Sequence, residues 1–148
     1  MDDRRYGDGD ASYQAMGGDA GVRQLVDRFY DLMESLPEAR TIRDMHGPDL
    51  GLSRDKLHIF LCGWLGGPRR YAERWGPIAI PPAHAHLPIG PAERDQWLLC
   101  MDRALAEMPV AEDFKAYFRE QIRVPAERVT QVCTRMAQAQ KQADDAAD

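Results

Sequence analysis

Apolar residues recur along this chain at intervals of three and four, the period of an α-helix that buries one face. The first clear stripe places Val22, Leu25, Val26, Phe29 and Met33 on one side, with Tyr30 at its border. Met16-Gly17-Gly18-Asp19 is a turn signal that separates this helix from a shorter helical stretch beginning near Ser12. A second stripe, Leu57, Phe60, Leu61 and Trp64, follows the same spacing. Ser53, one turn earlier on that face, is expected to cap this helix, and Gly66-Gly67-Pro68 to stop it. A third carries Trp97, Met101, Leu105 and Met108, flanked by Cys100 and Ala104, with Pro91 suited to its first turn. The last carries Phe114, Tyr117, Phe118 and Ile122, then Val129, Val132, Cys133 and Met136 beyond Pro125. The pattern leaves open whether the helix kinks or splits at that proline. No segment alternates with the period of a strand, so the predicted class is all-α.

The intervals between stripes have their own signals. Pro37 opens a short helical turn, and the stretch 47–52, with two glycines and a proline, reads as a loop. Residues 76–90 hold Pro77, Pro81, Pro82 and Pro88, a density that no long regular helix tolerates. At the ends, residues 1–11 are polar and rich in Gly and Asp, and are expected to form a flexible arm. Residues 12–140 then form one domain, and 141–148 an acidic tail with too little apolar area to keep it from fraying.

Composition narrows the class. At 148 residues, 44% hydrophobic and 29% charged, the chain matches a globular protein that closes a single core. The net charge is −5 and the basic residues are scattered, which disfavours a nucleic-acid surface. Nothing reaches the length of a membrane span, and the start Met1-Asp2-Asp3-Arg4-Arg5-Tyr6 lacks a secretory apolar run, so a cytoplasmic protein is expected. Cys62, Cys100 and Cys133 are odd in number and each lies within an apolar helical pattern, which predicts buried, reduced thiols. There is no Cys-x-x-Cys-His for covalent haem attachment.

One feature of the proline-rich segment carries chemistry: it delivers His84-Ala85-His86 between two helices. A histidine held on a short rigid segment suits axial ligation of iron. Taken alone, the pair is more simply read as surface loop histidines. The order of several segments changes that reading. Gly17-Gly18, Leu25-Val26-Asp27-Arg28-Phe29-Tyr30, Leu61 through Gly66-Gly67-Pro68, His84, and Glu93-Arg94-Asp95-Gln96-Trp97-Leu98-Leu99-Cys100-Met101 together resemble the group II truncated haemoglobins, over residues 13–129.

The resemblance implies a truncated globin fold, a two-over-two helical sandwich around haem b held without covalent links. It implies His84 as the proximal iron ligand, with His86 as runner-up. On the distal side it implies Tyr30 as a hydroxyl donor, His46 at a position filled by an aromatic or His, Ser53 as a polar residue of the distal helix, and Trp97 as an indole donor. Phe29, Leu57, Phe60, Leu61, Tyr71 and Met101 are then expected to line the haem pocket. Without the resemblance, Tyr30 and Trp97 read as core residues, His46 as a solvated loop residue and Ser53 as a helix cap. Relatives often carry basic residues just before the proximal His, where this chain has Pro81, Pro82 and Ala83. Arg54, Lys56, Arg69 and Arg70 are the candidates left to pair with haem propionates. His46 is also placed to bind ferric iron if the distal side collapses.

Three functional classes follow. The first is a haem protein that reversibly binds O2, CO and NO, for oxygen transport, storage, scavenging or sensing. The second is a haem enzyme that detoxifies nitric oxide or peroxide; no flavin or nicotinamide motif is present, so its reductase is a separate protein. The third is a helical module without haem that binds another protein. Either a monomer or a homodimer fits all three.

Overall fold

The computed structural model describes residues 5–46, 49–68 and 90–146. Among these there are helices and turns and no strand. The helices are α1 (Ala11–Met16), α2 (Gly18–Ser35), a 3-10 turn (Pro37–Ala39), α3 (Arg40–Asp44), α4 (Gly51–Trp64), α5 (Pro91–Ala106) and α6 (Glu112–Ala146). Helix α2 packs against both α4 and α5, and α5 packs against α6. The result is one pair, α2 with α4, facing a second pair, α5 with α6, in an all-α globin fold.

The α2 stripe is the centre of this packing. Val22, Leu25, Val26 and Phe29 are fully buried, and Met33 nearly so; each such side chain contributes about 1.5–3 kcal/mol relative to exposure. Met101, Ala104 and Leu105 of α5 and Phe114, Phe118 and Ile122 of α6 complete the same cluster. Trp64 at the end of α4 meets Phe118 edge-on, with ring centroids 5.8 Å apart.

The turn residues act as the sequence suggests. Gly17 closes α1 and opens α2 at φ +102°, a left-handed conformation that side chains rarely adopt. Gly66, at φ +95°, stops α4, and a Cβ there would collide with the carbonyl of Gly9. The Gly66-Gly67 turn therefore docks directly on the start of the chain, where the Tyr13 amide donates to the Leu65 carbonyl at 3.0 Å. Pro91 occupies the first turn of α5, where the Glu93 carboxylate accepts from the Gly90 amide.

Several expectations are corrected. Helix α4 begins at Gly51, so Gly51 and Leu52 are helical, and Ser53 lies inside the first turn and does not cap it. The Asp49 carboxylate accepts from the Gly51 amide at 2.8 Å, so an aspartate two residues before the helix does that work. Within the segment expected as an arm, residues 6 and 7 make specific contacts. The Tyr6 ring packs edge-on against Phe114 at 5.1 Å, its hydroxyl donates to Asp113 at 2.9 Å, and the Gly7 amide donates to Ser12. A lone aromatic in a polar run has no period to reveal it. At the other end α6 runs unbroken through Pro125 and on to Ala146. Proline removes one donor, to the Gln121 carbonyl, and the helix tolerates this cost because its apolar residues on both sides remain anchored.

Two polar contacts lie outside the reach of periodicity. Lys115 is buried, and its ammonium donates to the Ala106 carbonyl at 3.1 Å and to Glu112 at 3.2 Å. A cation thus sits at the negative end of α5 and ties α6 to it. The three cysteines are all buried, as expected.

Candidate ligand-binding site

Helix α2 positions the first two side chains. Phe29 and Tyr30 are consecutive, so they point about 100° apart around the helix axis. Phe29 enters the core, while Tyr30 is turned toward α3 and α4 and stays 5% exposed. Their rings meet edge-on with centroids 4.9 Å apart. On its other side Phe29 lies 5.1 Å from Trp97 of α5. Tyr30 in turn meets the His46 ring edge-on at 5.9 Å. A continuous chain of rings, Trp97–Phe29–Tyr30–His46, brings together residues separated by up to 68 positions in sequence.

The polar atoms of this chain differ in what they are free to do. The His46 Nδ1 lies 2.8 Å from the Ile42 carbonyl oxygen, which can only accept, so Nδ1 carries the proton and neutral His46 keeps a lone pair on Nε2. Helix α3 is itself fastened to α5 where the Ile42 amide donates to the Gln96 side chain at 3.4 Å. Neither the Tyr30 hydroxyl nor the Trp97 indole N–H donates to any described residue. Burial raises the Tyr30 phenol above its ordinary range, with Arg54 pulling weakly the other way, so it remains a protonated donor at any physiological pH.

Arg54, which the sequence pattern offered only as a partner for propionates, is engaged elsewhere. Its guanidinium donates to the Asp27 carbonyl at 3.0 Å, to the Asp27 carboxylate at 3.2 Å and to Asp31 at 2.8 Å, and its central carbon lies 5.7 Å from the Tyr30 ring centroid. It bridges α4 to α2 directly over the phenol. The signal that could have found it is Asp27 and Asp31, four apart on the polar face of α2 and facing a helix with one buried-side arginine.

The remaining expected residues divide. Leu57, Phe60 and Trp97 are half-buried and pack against the core while keeping part of their apolar surface uncovered. Leu61 and Met101 are fully buried in the core cluster. Ser53 is half-buried on α4, and no ring contact or hydrogen bond among the described residues joins it to Tyr30 or Trp97. His84, His86, Tyr71, Arg69, Arg70 and the proline-rich segment lie outside the described residues.

Comparison with known proteins places this arrangement. A family model described as bacterial-like globin matches residues 11–141. A curated protein of Bacillus subtilis (strain 168), group 2 truncated hemoglobin YjbI, is 31% identical over 107 residues, covering 72% of this chain and 78% of its own. A group II 2-on-2 hemoglobin from the plant pathogen Agrobacterium tumefaciens is similar in structure, with a TM-score of 0.70 and 44% identity over 84% of this chain and 92% of its own. A truncated oxygen-avid haemoglobin from Bacillus subtilis superposes with a TM-score of 0.73 and 28% identity, over 80% of this chain and 98% of its own.

Proposed function

The chain belongs to the bacterial-like globin family, among the group II truncated haemoglobins, and from that premise we propose that it binds haem b non-covalently and uses it to hold O2 reversibly, with CO and NO as further ligands. The observation that carries the reading is the pair of unspent donors, Tyr30 hydroxyl and Trp97 indole, on either side of the Phe29 ring. Tyr30 is buried and Trp97 half-buried, so two donors without a protein acceptor beside half-covered apolar side chains fit a cavity whose occupant accepts hydrogen bonds. Leu57 and Phe60 supply the apolar walls that suit a porphyrin. His84 is the proximal ligand in this reading, on the residue-by-residue resemblance of the chain to the family.

Haem held by His84 would supply a ferrous iron able to take up a diatomic gas and leave the gas's outer atom partly negative. The protein decides how long the gas stays. Tyr30 and Trp97 donate to that partly negative atom, and hydrogen bonds to charged groups contribute about 1.5–3 kcal/mol each. Two of them slow release by roughly a hundredfold or more, since about 1.4 kcal/mol is tenfold. Retention is favoured over delivery, in keeping with the oxygen-avid relative from Bacillus subtilis. His46, edge-on against the Tyr30 ring, packs beside the phenol and limits where it can turn. The test is the absorption spectrum of the ferric, ferrous and CO forms of the wild type beside His84→Ala. A Soret band with a five- or six-coordinate histidine signature that is lost or strongly altered in the variant is expected. No Soret band after haem addition to the wild type would overturn the reading, and an unchanged spectrum in the variant would remove His84 from the ligand role.

A further inference from the structure

A second cluster of metal-ligating side chains lies on a different part of α4. His58 and Cys62 are four residues apart, so they sit one above the other on the same strip of the helix. That strip faces the first turn of α2, which contributes Asp19. The Asp19 Oδ1 lies 3.0 Å from His58 Nε2 and 3.8 Å from Cys62 Sγ, and the ligand atoms of all three residues lie within 4.8 Å of one another. His58 Nε2 is buried and, although close to Asp19, is off the direction of a hydrogen bond, so the atom has no hydrogen-bond partner. The His58 side chain is 16% exposed and that of Asp19 58%, which leaves one side of the cluster open to water.

The geometry points to a divalent zinc site formed by Asp19, His58 and Cys62, with water in the fourth position. Tetrahedral zinc with its usual bond lengths needs nitrogen and oxygen ligands about 3.3 Å apart and sulfur about 3.6 Å from either. The separations of 3.0 and 3.8 Å are a few tenths of an ångström from those values, within reach of small side-chain rotations. Charge also fits. Zinc with one thiolate, one carboxylate and a neutral imidazole sums to zero, the state a largely buried site favours. On binding, the Cys62 thiol gives its proton to solvent as the Zn–S bond forms, and Zn–N and Zn–O bonds replace water molecules of the hydrated ion. The amino end of α2 opposes a cation, and the carboxylate of Asp19 offsets it locally. The ion would clamp α4 to the start of α2, on a strip separate from Tyr30 and Trp97, and so stiffen the helix whose other residues wall the gas site. Neither His58 nor Asp19 stands out in the sequence, because the aspartate comes from a distant segment and His-x-x-x-Cys is half a site.

The full chain, purified and stripped of metal with a chelator, is equilibrated with buffered Zn2+ and the retained metal is counted by mass spectrometry. One zinc per chain is expected, with release of about one proton at a pH below the thiol's range. Cys62→Ala and His58→Gln should each weaken binding about tenfold or more, and Cys100→Ala should leave it unchanged. Asp19→Asn, at an exposed side chain, preserves the fold and should also weaken binding. On the wild type, zinc should protect Cys62 from alkylation during partial unfolding. Absence of stoichiometric zinc in the wild type, or zinc retained undiminished by the double variant of His58 and Cys62, would overturn the assignment.

Discussion

The guanidinium carbon of Arg54 lies 5.7 Å from the centroid of the Tyr30 ring while its nitrogens hold Asp27 and Asp31. One side chain therefore joins α4 to α2 and covers the Tyr30 phenol. The two aspartates are about half exposed, so the pairs are screened by solvent and each contributes modestly. Arg54→Met should lower stability by about 1 kcal/mol at low salt, and the difference should shrink in 1 M salt. Urea denaturation at the two salt concentrations checks this; a difference independent of salt would mean that packing of the stem, and not charge, is what matters.

Tyr30 and Trp97 are expected to act on O2 and hardly on CO, because CO carries little negative charge for a donor to meet. Tyr30→Phe and Trp97→Phe should each speed O2 dissociation by about tenfold or more. Stopped-flow displacement of each gas measures both rates. Equal acceleration of O2 and CO would show that the side chains act by size alone.

Lys115 is buried, with its ammonium on the last carbonyl of α5 and on Glu112. Lys115→Met keeps the stem and removes both bonds, and should cost about 1.5–3 kcal/mol. The loss should appear as a shifted urea midpoint with an unchanged slope, and a variant as stable as the wild type would show the contact to be neutral.

Burial pushes the Cys100 thiol up to about 11, with Arg103 pulling down and Glu38 adding to the rise. The folded state thus holds this proton more tightly than the unfolded chain. The associated stability is fully present below the unfolded thiol's pKa near 9 and is lost as pH rises through about 11. Across that window the wild type should lose stability faster than Cys100→Ala, as read by denaturation at stepped pH. Parallel curves would remove the thiol from the alkaline transition. At neutral pH Cys100 should resist alkylation until the chain unfolds.

The helices and their inward faces were legible in the residues alone, since a period of 3.6 with glycines and prolines at the breaks follows from local chemistry. Val22 to Met33, Gly17, Gly66 and Pro91 each do what their position in that pattern requires. The order of Phe29-Tyr30, Gly66-Gly67-Pro68 and the Trp97 segment likewise pointed to the globin family before any packing was known. What tertiary structure alone decided is which polar groups meet. Arg54 over Tyr30, Lys115 on the end of α5, Tyr6 against Phe114, and Asp19 beside His58 and Cys62 all join residues from separate segments. No periodicity records such pairs, because a helix specifies which face a side chain occupies and not what lies opposite it. The same reason explains Ser53, whose sequence context suits a cap but whose helix starts two residues earlier, where Asp49 reaches the free amide of Gly51.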